Sequence, residues 1–478
     1  MPCALPKGKA KKMTEKEFTL EGLSEELSEI AERVVDLIKE KNYTEVKKIA
    51  TELPAPDIAE IYAEIPIELE TLFFRLLPKE LAAETFVEMD TEEQRRLIES
   101  FSDTQLYDIL SEMYIDDTVD IIEEMPATVV KRILKNTSKE DRATINTILN
   151  YPKDSAGTVM TTEYVRFKAE MTVGAALSHI RKVAIDKETI YTCYVTDENR
   201  HLLGIVTAKD LLISDPETVV GSIMDDAVIS VSTHDDKEEV ALLLDRYGFL
   251  AMPVVDNENR LVGIITVDDA IEVIKEESEE DFAKMAAITP SETPYLKTNV
   301  FDIWKARVPW LLILMISSTI SSAILAGFEA ALPAVLVLFV PMIMGTGGNS
   351  GGQSSVTVTR SISLSEVDFS DLPRVFWKEL RVGILCAVAL GVVTFGKVML
   401  IDGLLLGNSA IDLTVSLVVA ISLSLTIIAA KVIGAVLPLL AKKIGLDPAV
   451  MASPLITTLV DAISLIIYLF CARGILNI

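Results

Sequence analysis

The sequence predicts a multidomain membrane protein, and three observations carry that prediction. Five apolar stretches lie within residues 304–478, helix-start signals recur every twelve residues between 25 and 150, and residues 151–275 contain an internal duplication. The expected fold is an α-helical solenoid (25–150), two tandem α/β units (151–275), an acidic, plug-like connecting helix (276–303) and a five-helix, all-α transmembrane domain (304–478), after a charged tail over 1–24.

In the solenoid, Leu53-Pro54, Leu77-Pro78, Phe101-Ser102 and Met125-Pro126 recur every 24 residues. Ile65-Pro66, Met89-Asp90, Met113-Tyr114 and Thr137-Ser138 fall halfway between them. Pro, Ser or Asp stands where an N-cap or first helical turn belongs, and apolar residues such as Ile58, Ile61 and Tyr62 follow at helical spacing. Helices this short are not stable alone and must stack.

In the duplicated region, "TVMTTEYVRF" from Thr158 answers "SIMDDAVISV" from Ser222, and Gly204, Thr207 and Asp210 recur 59 residues on as Gly263, Thr266 and Asp269. The first copy carries five more residues between its methionine and its glycine. Apolar runs bounded by turns and followed by helical patterns make each copy a small α/β unit. The duplication resembles a pair of CBS domains, a family that senses adenosine nucleotides or ions in the cleft between copies. That resemblance implies Thr207 and Asp210 as candidates to hold the phosphate and ribose of ATP or another adenosine nucleotide.

The connecting segment holds a dense acidic run, Glu272, Glu276, Glu277, Glu279, Glu280 and Asp281, in a helix expected to break near Pro290 and Pro294. Its position between the duplication and the first span suits a coupling element.

The apolar stretches, at about 308–327, 331–358, 382–401, 413–440 and 449–472, are each long enough to cross a bilayer. Basic residues flank one face, with Lys305 and Arg307, Arg360, Arg374, Lys378 and Arg381, and Lys442 and Lys443, against Lys397 and Arg473 on the other. The positive-inside rule therefore puts the N-terminal part in the cytoplasm and the C-terminus outside a cell (inner) membrane. Nothing at the N-terminus resembles a signal peptide.

Asp461 stands at the middle of the last stretch, where a charge costs about 2.5–3.5 kcal/mol on insertion scales. Ser453, Thr457, Asp461, Ser464 and Tyr468 share one helical face, which suggests a water-filled path for cations. Neutralisation of the carboxyl, or pairing with Lys431, is the alternative. "GTGGNSGGQSS", Gly345–Ser355, is expected to interrupt its helix and to offer backbone carbonyls and amides to an ion; close packing of small residues is the alternative. "SSTISS", Ser317–Ser322, needs only hydroxyls bonded back to their own helix.

Charge narrows the function classes. The chain of 478 residues has a formal net charge of −27, and residues 301–478 carry 11 Lys/Arg and 10 Asp/Glu, which leaves −28 on the first 300 residues. Nucleic-acid binding, which runs on Lys and Arg, does not fit. Four scattered cysteines and three histidines disfavour disulfide scaffolds and zinc sites. No nucleophile–base set, P-loop or metalloprotease motif is present, so no enzyme is expected.

Taken together, the order of parts, "PMIMGTGGNSGGQSS" in the second span, "LDPAVMASPLITTLVDAISLIIYL" in the fifth and "GFE" at Gly327–Glu329 resemble the MgtE family of magnesium channels over about residues 25–478. The resemblance implies a homodimer in the lipid bilayer with a pore on its two-fold axis, moving Mg²⁺ into the cytoplasm. It implies pore residues Asp461, Thr457, Gly348 and Asn349. Regulatory Mg²⁺ would bridge Asp116 and Asp120 of the solenoid, Asp236, Glu238 and Asp269 of the second CBS unit, Glu272, Glu277, Glu280 and Asp281 of the connector, and Asp447 before the fifth span, holding the gate shut. Gly352, Gly248 and Lys431 depart from the residues common in that family. Two other readings remain open on the residues: an ion-coupled divalent-cation exporter and a membrane-anchored CBS nucleotide sensor.

Overall fold

The computed structural model describes residues 20–290, 295–296, 298–328, 333–451 and 453–476. They form two compact units, divided between Ile274 and Lys275.

The first unit opens with ten helices: α1 (Leu20–Lys39), α2 (Tyr43–Thr51), α3 (Ala55–Glu64), α4 (Ile67–Phe74), α5 (Lys79–Val87), α6 (Thr91–Ser100), α7 (Asp103–Leu110), α8 (Ile115–Glu124), α9 (Ala127–Asn136) and α10 (Lys139–Ile148). From α3 to α10 the first residues are 55, 67, 79, 91, 103, 115, 127 and 139, so the twelve-residue beat is the helix repeat itself. Its punctuation is chemical. Pro54, Pro66, Pro78 and Pro126 stand at N-caps, where a missing N–H costs nothing. Ser102 and Gln105 form a reciprocal capping box at α7, and the Ser138 hydroxyl accepts from the Asp141 amide. Alternate helices stack, α3 on α5, α5 on α7 and α7 on α9. Ile58, Tyr62, Phe86, Leu97, Leu106 and Ile133 fill the core between them.

Each copy of the duplication then builds a three-stranded sheet. In the first, β1 (Tyr164–Lys168) lies parallel to β2 (Thr189–Thr196), which pairs antiparallel with β3 (Leu202–Thr207). The second repeats this with β4 (Val231–Ser232), β5 (Ala251–Val255) and β6 (Leu261–Thr266). Helices α11 (Val173–Val183), α12 (Ala208–Ile213) and α13 (Lys237–Tyr247) cover the sheets. The duplicated glycines have one cause: a Cβ at Gly204 would lie 2.7 Å from the Asp225 carbonyl oxygen, and one at Gly263 would lie 2.9 Å from that of Thr161. Each copy's strand thus passes tightly under the segment that enters the other.

Helix α14 (Val267–Met285) leaves β6 and runs on as the acidic connector, so Asp269, Glu272, Glu277 and Asp281 share one helix. It ends at Met285, ahead of Pro290; Pro294 lies outside the described residues.

In the second unit, five helical segments are long and apolar enough to cross a membrane: Val300–Gly327, Ala334–Ser363, Phe369–Leu405, Leu413–Lys443 and Ala449–Leu476. They contain α15 (Val300–Phe328), the short α16 (Ala334–Val337), α17 (Val340–Ser363), α18 (Leu372–Lys397), α19 (Leu413–Lys443) and α20 (Ser453–Leu476). Helices α17, α19 and α20 pack on one another and α18 on α19. On α15, Ser318 and Thr319 donate to the Met315 carbonyl and Ser322 to that of Ser318, as expected for "SSTISS".

The expected interruption at Gly345–Ser355 is absent. Helix α17 runs unbroken through it, and Gly347, Gly348, Gly351 and Gly352 are buried. Their use is close approach: a Cβ at Gly351 would meet Ile456 Cγ2 at 2.9 Å, and one at Gly434 would lie 2.2 Å from the Gly351 carbonyl oxygen. Small residues here let α17 and α19 touch backbone to backbone, with the Ile456 side chain of α20 against Gly351.

Candidate functional site

The polar face of α20 divides by what each group does. Ser464 donates to the Val460 carbonyl at 2.6 Å, and the Tyr468 hydroxyl donates to the Leu336 carbonyl at 2.7 Å, so both are committed to structure. The Ser453 side chain lies outside the described residues. Thr457 and Asp461 face α17 at its glycines: a Cβ at Gly348 would sit 2.8 Å from Thr457 Cγ2 and 3.7 Å from Asp461 Oδ1. Asp461 Oδ1 is buried with no hydrogen-bond partner among the described residues. Asn349, next along α17, is exposed in the single chain.

Lys431 does not pair with Asp461. Its ammonium, 6% exposed, donates to Gln353 Oε1 at 3.0 Å, in a cavity of about 660 Å³ that also takes in Glu379. Glu379 in turn accepts from the Ser354 hydroxyl at 2.6 Å. Asp461 therefore keeps an oxygen free. The sequence reading also missed Ser422 and Thr426 on α19, whose buried hydroxyls have no partner among the described residues. Their spacing of four was the available signal, though serines and threonines in apolar helices more often bond to their own backbone.

In the first unit, α8 and the start of α14 bring acids together. Asp116 is 6% exposed, and burial, then Asp117, Asp269 and Glu188, push its carboxyl well above the usual range. Burial and then Glu272 do the same to Asp120. Burial and then Asp269 raise Asp117 to about 7, and burial, Asp269 and Asp117 raise Glu188 to about 8. Asp269 is raised by burial, against hydrogen bonds from the Thr266 hydroxyl and amide. Asp116 Oδ1 and Glu188 Oε2 are buried without partners among the described residues. Like charges in low dielectric disfavour one another's ionisation, which a divalent cation would reverse. Neither Asp117 nor Glu188 was predicted; Glu188 precedes β2 with no motif around it.

Asp236 does not join this cluster. It caps α13, accepting from the Glu238 and Glu239 amides, and Glu238 lies in that helix's first turn.

The second unit holds another acidic group. Lys284 bridges Glu280 at 2.5 Å and Asp447 at 2.6 Å, while Asp281 accepts from the Ser363 hydroxyl at 2.6 Å. Burial would lower the Lys284 ammonium, but the Asp447 and Glu280 bonds raise it overall. Burial raises Asp281, against the Ser363 bond. Glu277 lies one turn before Asp281 on α14. Among the described residues, no three His, Cys, Asp or Glu side chains converge tightly enough to hold a metal ion in this conformation.

Thr207 and Asp210 cap α12 reciprocally. The Thr207 hydroxyl accepts from the Asp210 amide at 3.2 Å, and the Thr207 amide donates to Asp210 Oδ2 at 3.1 Å. Thr266 and Asp269 repeat the Thr207 amide bond at 3.2 Å. The duplicated Thr-x-x-Asp therefore has a structural use in both copies.

Known proteins agree with these parts in order. The family described as a divalent cation transporter matches residues 340–471, the MgtE intracellular N domain matches 53–154, and CBS domains match 156–216 and 220–276. The magnesium transporter MgtE of Thermus thermophilus is 37% identical over 456 residues, which cover 94% of this chain and 99% of that protein. The chain belongs to the MgtE family. The magnesium transporter MgtE of Bacillus subtilis is 32% identical, covering 94% of this chain and 98% of that protein. A solved structure described as the soluble part of a magnesium transporter is 30% identical, with a TM-score of 0.50 over 53% of this chain and 99% of its own. As an MgtE protein, the chain combines the helical domain, the CBS pair and the five apolar helices expected from its sequence.

Proposed function

We propose that this MgtE protein is a dimeric magnesium channel that passes Mg²⁺ into the cytoplasm and is held shut by cytosolic Mg²⁺. The observation that carries this reading is Asp461: a carboxylate deep in an apolar helix, one oxygen unpartnered, beside the glycine face of α17. Its cargo is a hard cation that takes oxygen ligands and keeps much of its water. Thr457, with Gly348 and Asn349 of α17, lines the same path, and the second protomer's helices complete it. The domain limits are those expected from the sequence, with the first 303 residues cytoplasmic and the C-terminus outside.

The donor chemistry of these acids suits a regulatory ion, which would have to draw them closer together than they stand here. All candidate donors are carboxylate oxygens, which suit Mg²⁺, and Asp116 Oδ1 and Glu188 Oε2 are orphaned. Asp116, Asp120, Asp269 and Glu272 would hold one ion, joined by Asp117 and Glu188, and Glu280, Asp281 and Asp447 another, with Glu277 beside them. When bound, the cation supplies countercharge. Without it, the acids repel and the assembly loosens, so the ion acts by its higher affinity for the closed state. Asp236 and Glu238 would serve a separate ion. Thr207 and Asp210 are kept as the candidate grip on ATP. The reading assigns no catalysis.

The deciding experiment is flux in liposomes with a Mg²⁺ gradient and no other gradient. Passive influx is expected; influx that needs a proton or sodium gradient would favour a coupled exporter, and none under any gradient would favour an anchored sensor.

A second expectation concerns gating. Millimolar Mg²⁺ should protect the cytoplasmic part of the full-length protein from limited proteolysis. The raised Asp117 and Glu188 bind more protons folded than unfolded, so stability without Mg²⁺ should fall as pH rises through about 7 and 8, and the protection by Mg²⁺ should grow over that window. Equal digestion with and without Mg²⁺ at pH 8 would count against the regulatory site.

A further inference from the structure

Where the helical domain meets the first CBS copy, a cavity of about 620 Å³ lies between α10, β1 and α11, within the size range of small-molecule sites. Its rim runs against the charge of the chain. Arg166, Lys187, Arg200 and His179 line it, although the first 300 residues carry a net −28. None of Arg166, Lys187 and Arg200 makes a salt bridge to a described residue, whereas nearby Lys168 and Arg260 pair with Glu198 and Glu258. The walls are aromatic and apolar. Tyr164 shares the lining with both arginines: burial pushes its hydroxyl up, and Arg200 and Arg166 pull against that. The same hydroxyl donates to the Leu261 carbonyl at 3.1 Å, which fixes the ring.

The second CBS copy is an internal control, because it builds the same sheet without these groups. Arg166 answers to Ser230, Tyr164 to Val228 and Arg200 to Asn259. His179, on an 11-residue helix that begins after Thr172, answers to Leu243 on the 11-residue helix after Asp236. Lys187 stands between α11 and β2, where the first copy is longer. Arg200 and Asn259 both take positive φ, 70° and 59°, a conformation that Asn tolerates far better than Arg. The fold therefore requires none of the cations.

We infer that this cavity binds a small phosphorylated molecule of nucleotide size, its phosphates on Arg166, Lys187 and Arg200 and its body against Tyr164 and the apolar wall. Guanidinium pairs suit phosphate by geometry as well as charge. An occupant would touch both α10 and the first CBS sheet and so would tie the two domains together. This site is separate from Thr207 and Asp210 and does not depend on what the membrane helices transport.

The test is equilibrium dialysis of the full-length protein in detergent, at low ionic strength with chelator, against labelled ATP, AMP and pyrophosphate. Saturable binding of at least one is expected. Arg166→Ala with Arg200→Ala should weaken it roughly tenfold or more, about the worth of one charge-assisted hydrogen bond. Arg166→Lys with Arg200→Lys should weaken it less, and the same loss on the double alanine substitution should be seen in an Asp210→Ala background, which removes the candidate ATP grip at Thr207 and Asp210. Pyrophosphate binding as well as ATP would mean that phosphates alone are read; ATP binding far better would mean that the base contributes. Both arginines are exposed, and an unchanged thermal melt of the double variant separates lost binding from lost fold. No saturable binding of any probe in the Asp210→Ala background, or equal affinity there with and without the double alanine substitution, would overturn the assignment.

Discussion

Asp461→Ala is expected to reduce Mg²⁺ influx by roughly 100-fold or more, read as failure to rescue a magnesium-dependent host and as lost flux in liposomes. Two unit charges 4 Å apart at an effective dielectric of 20 interact by about 4 kcal/mol, and a divalent ion doubles the charge it presents. Even a fraction of that exceeds the 2.8 kcal/mol or so that a 100-fold change represents. Stability should not fall with it. Asp461 Oδ1 has no partner among the described residues to orphan, and an apolar helix no longer has to carry a carboxylate. Asp461→Asn separates charge from shape: it keeps an oxygen and the side-chain volume, and should be nearly as inactive if countercharge is what the path needs. Full rescue by the alanine variant would remove Asp461 from the path.

The sequence revealed most where physics is local. Each solenoid helix carries its own start signal, so a spacing of twelve could be read without any long-range contact. Gly204 and Gly263 were visible as a repeated pair, although only the structure shows the carbonyl oxygen that excludes a Cβ at each. Asp461 was legible because a charge in an apolar run is improbable without a use. What could not be read depended on which helix lies opposite. Pairing of Lys431 with Asp461 was open in the sequence, but α17 presents Gln353 first. The glycines of α17 look like a helix breaker in isolation, yet packing between α19 and α20 supplies the helix with what propensity does not. Glu188 joins Asp116 and Asp117 across the boundary between two domains, and no periodicity reports such a meeting.

Gly434→Ala should be the most damaging single methyl group in the membrane unit. Its Cβ would fall 2.2 Å from the Gly351 carbonyl oxygen, which is main chain and cannot rotate away as a side chain could. Nor can α17 retreat freely, since Gly351 already lies 2.9 Å, at its own Cβ position, from Ile456 of α20. Overpacking of this kind costs about 1–3 kcal/mol where neighbours can adjust, and here the neighbours are backbones wedged between helices. The expected result is a thermal midpoint several degrees lower in detergent and a smaller folded fraction. Gly396→Ala on α18 supplies the control: beyond its own helical backbone, no described residue comes within 4 Å of its Cβ position, and alanine favours a helix over glycine by about 0.5–1 kcal/mol, so that variant should be neutral or more stable. Equal stability of Gly434→Ala and the unaltered protein would show that α17 and α19 do not touch there.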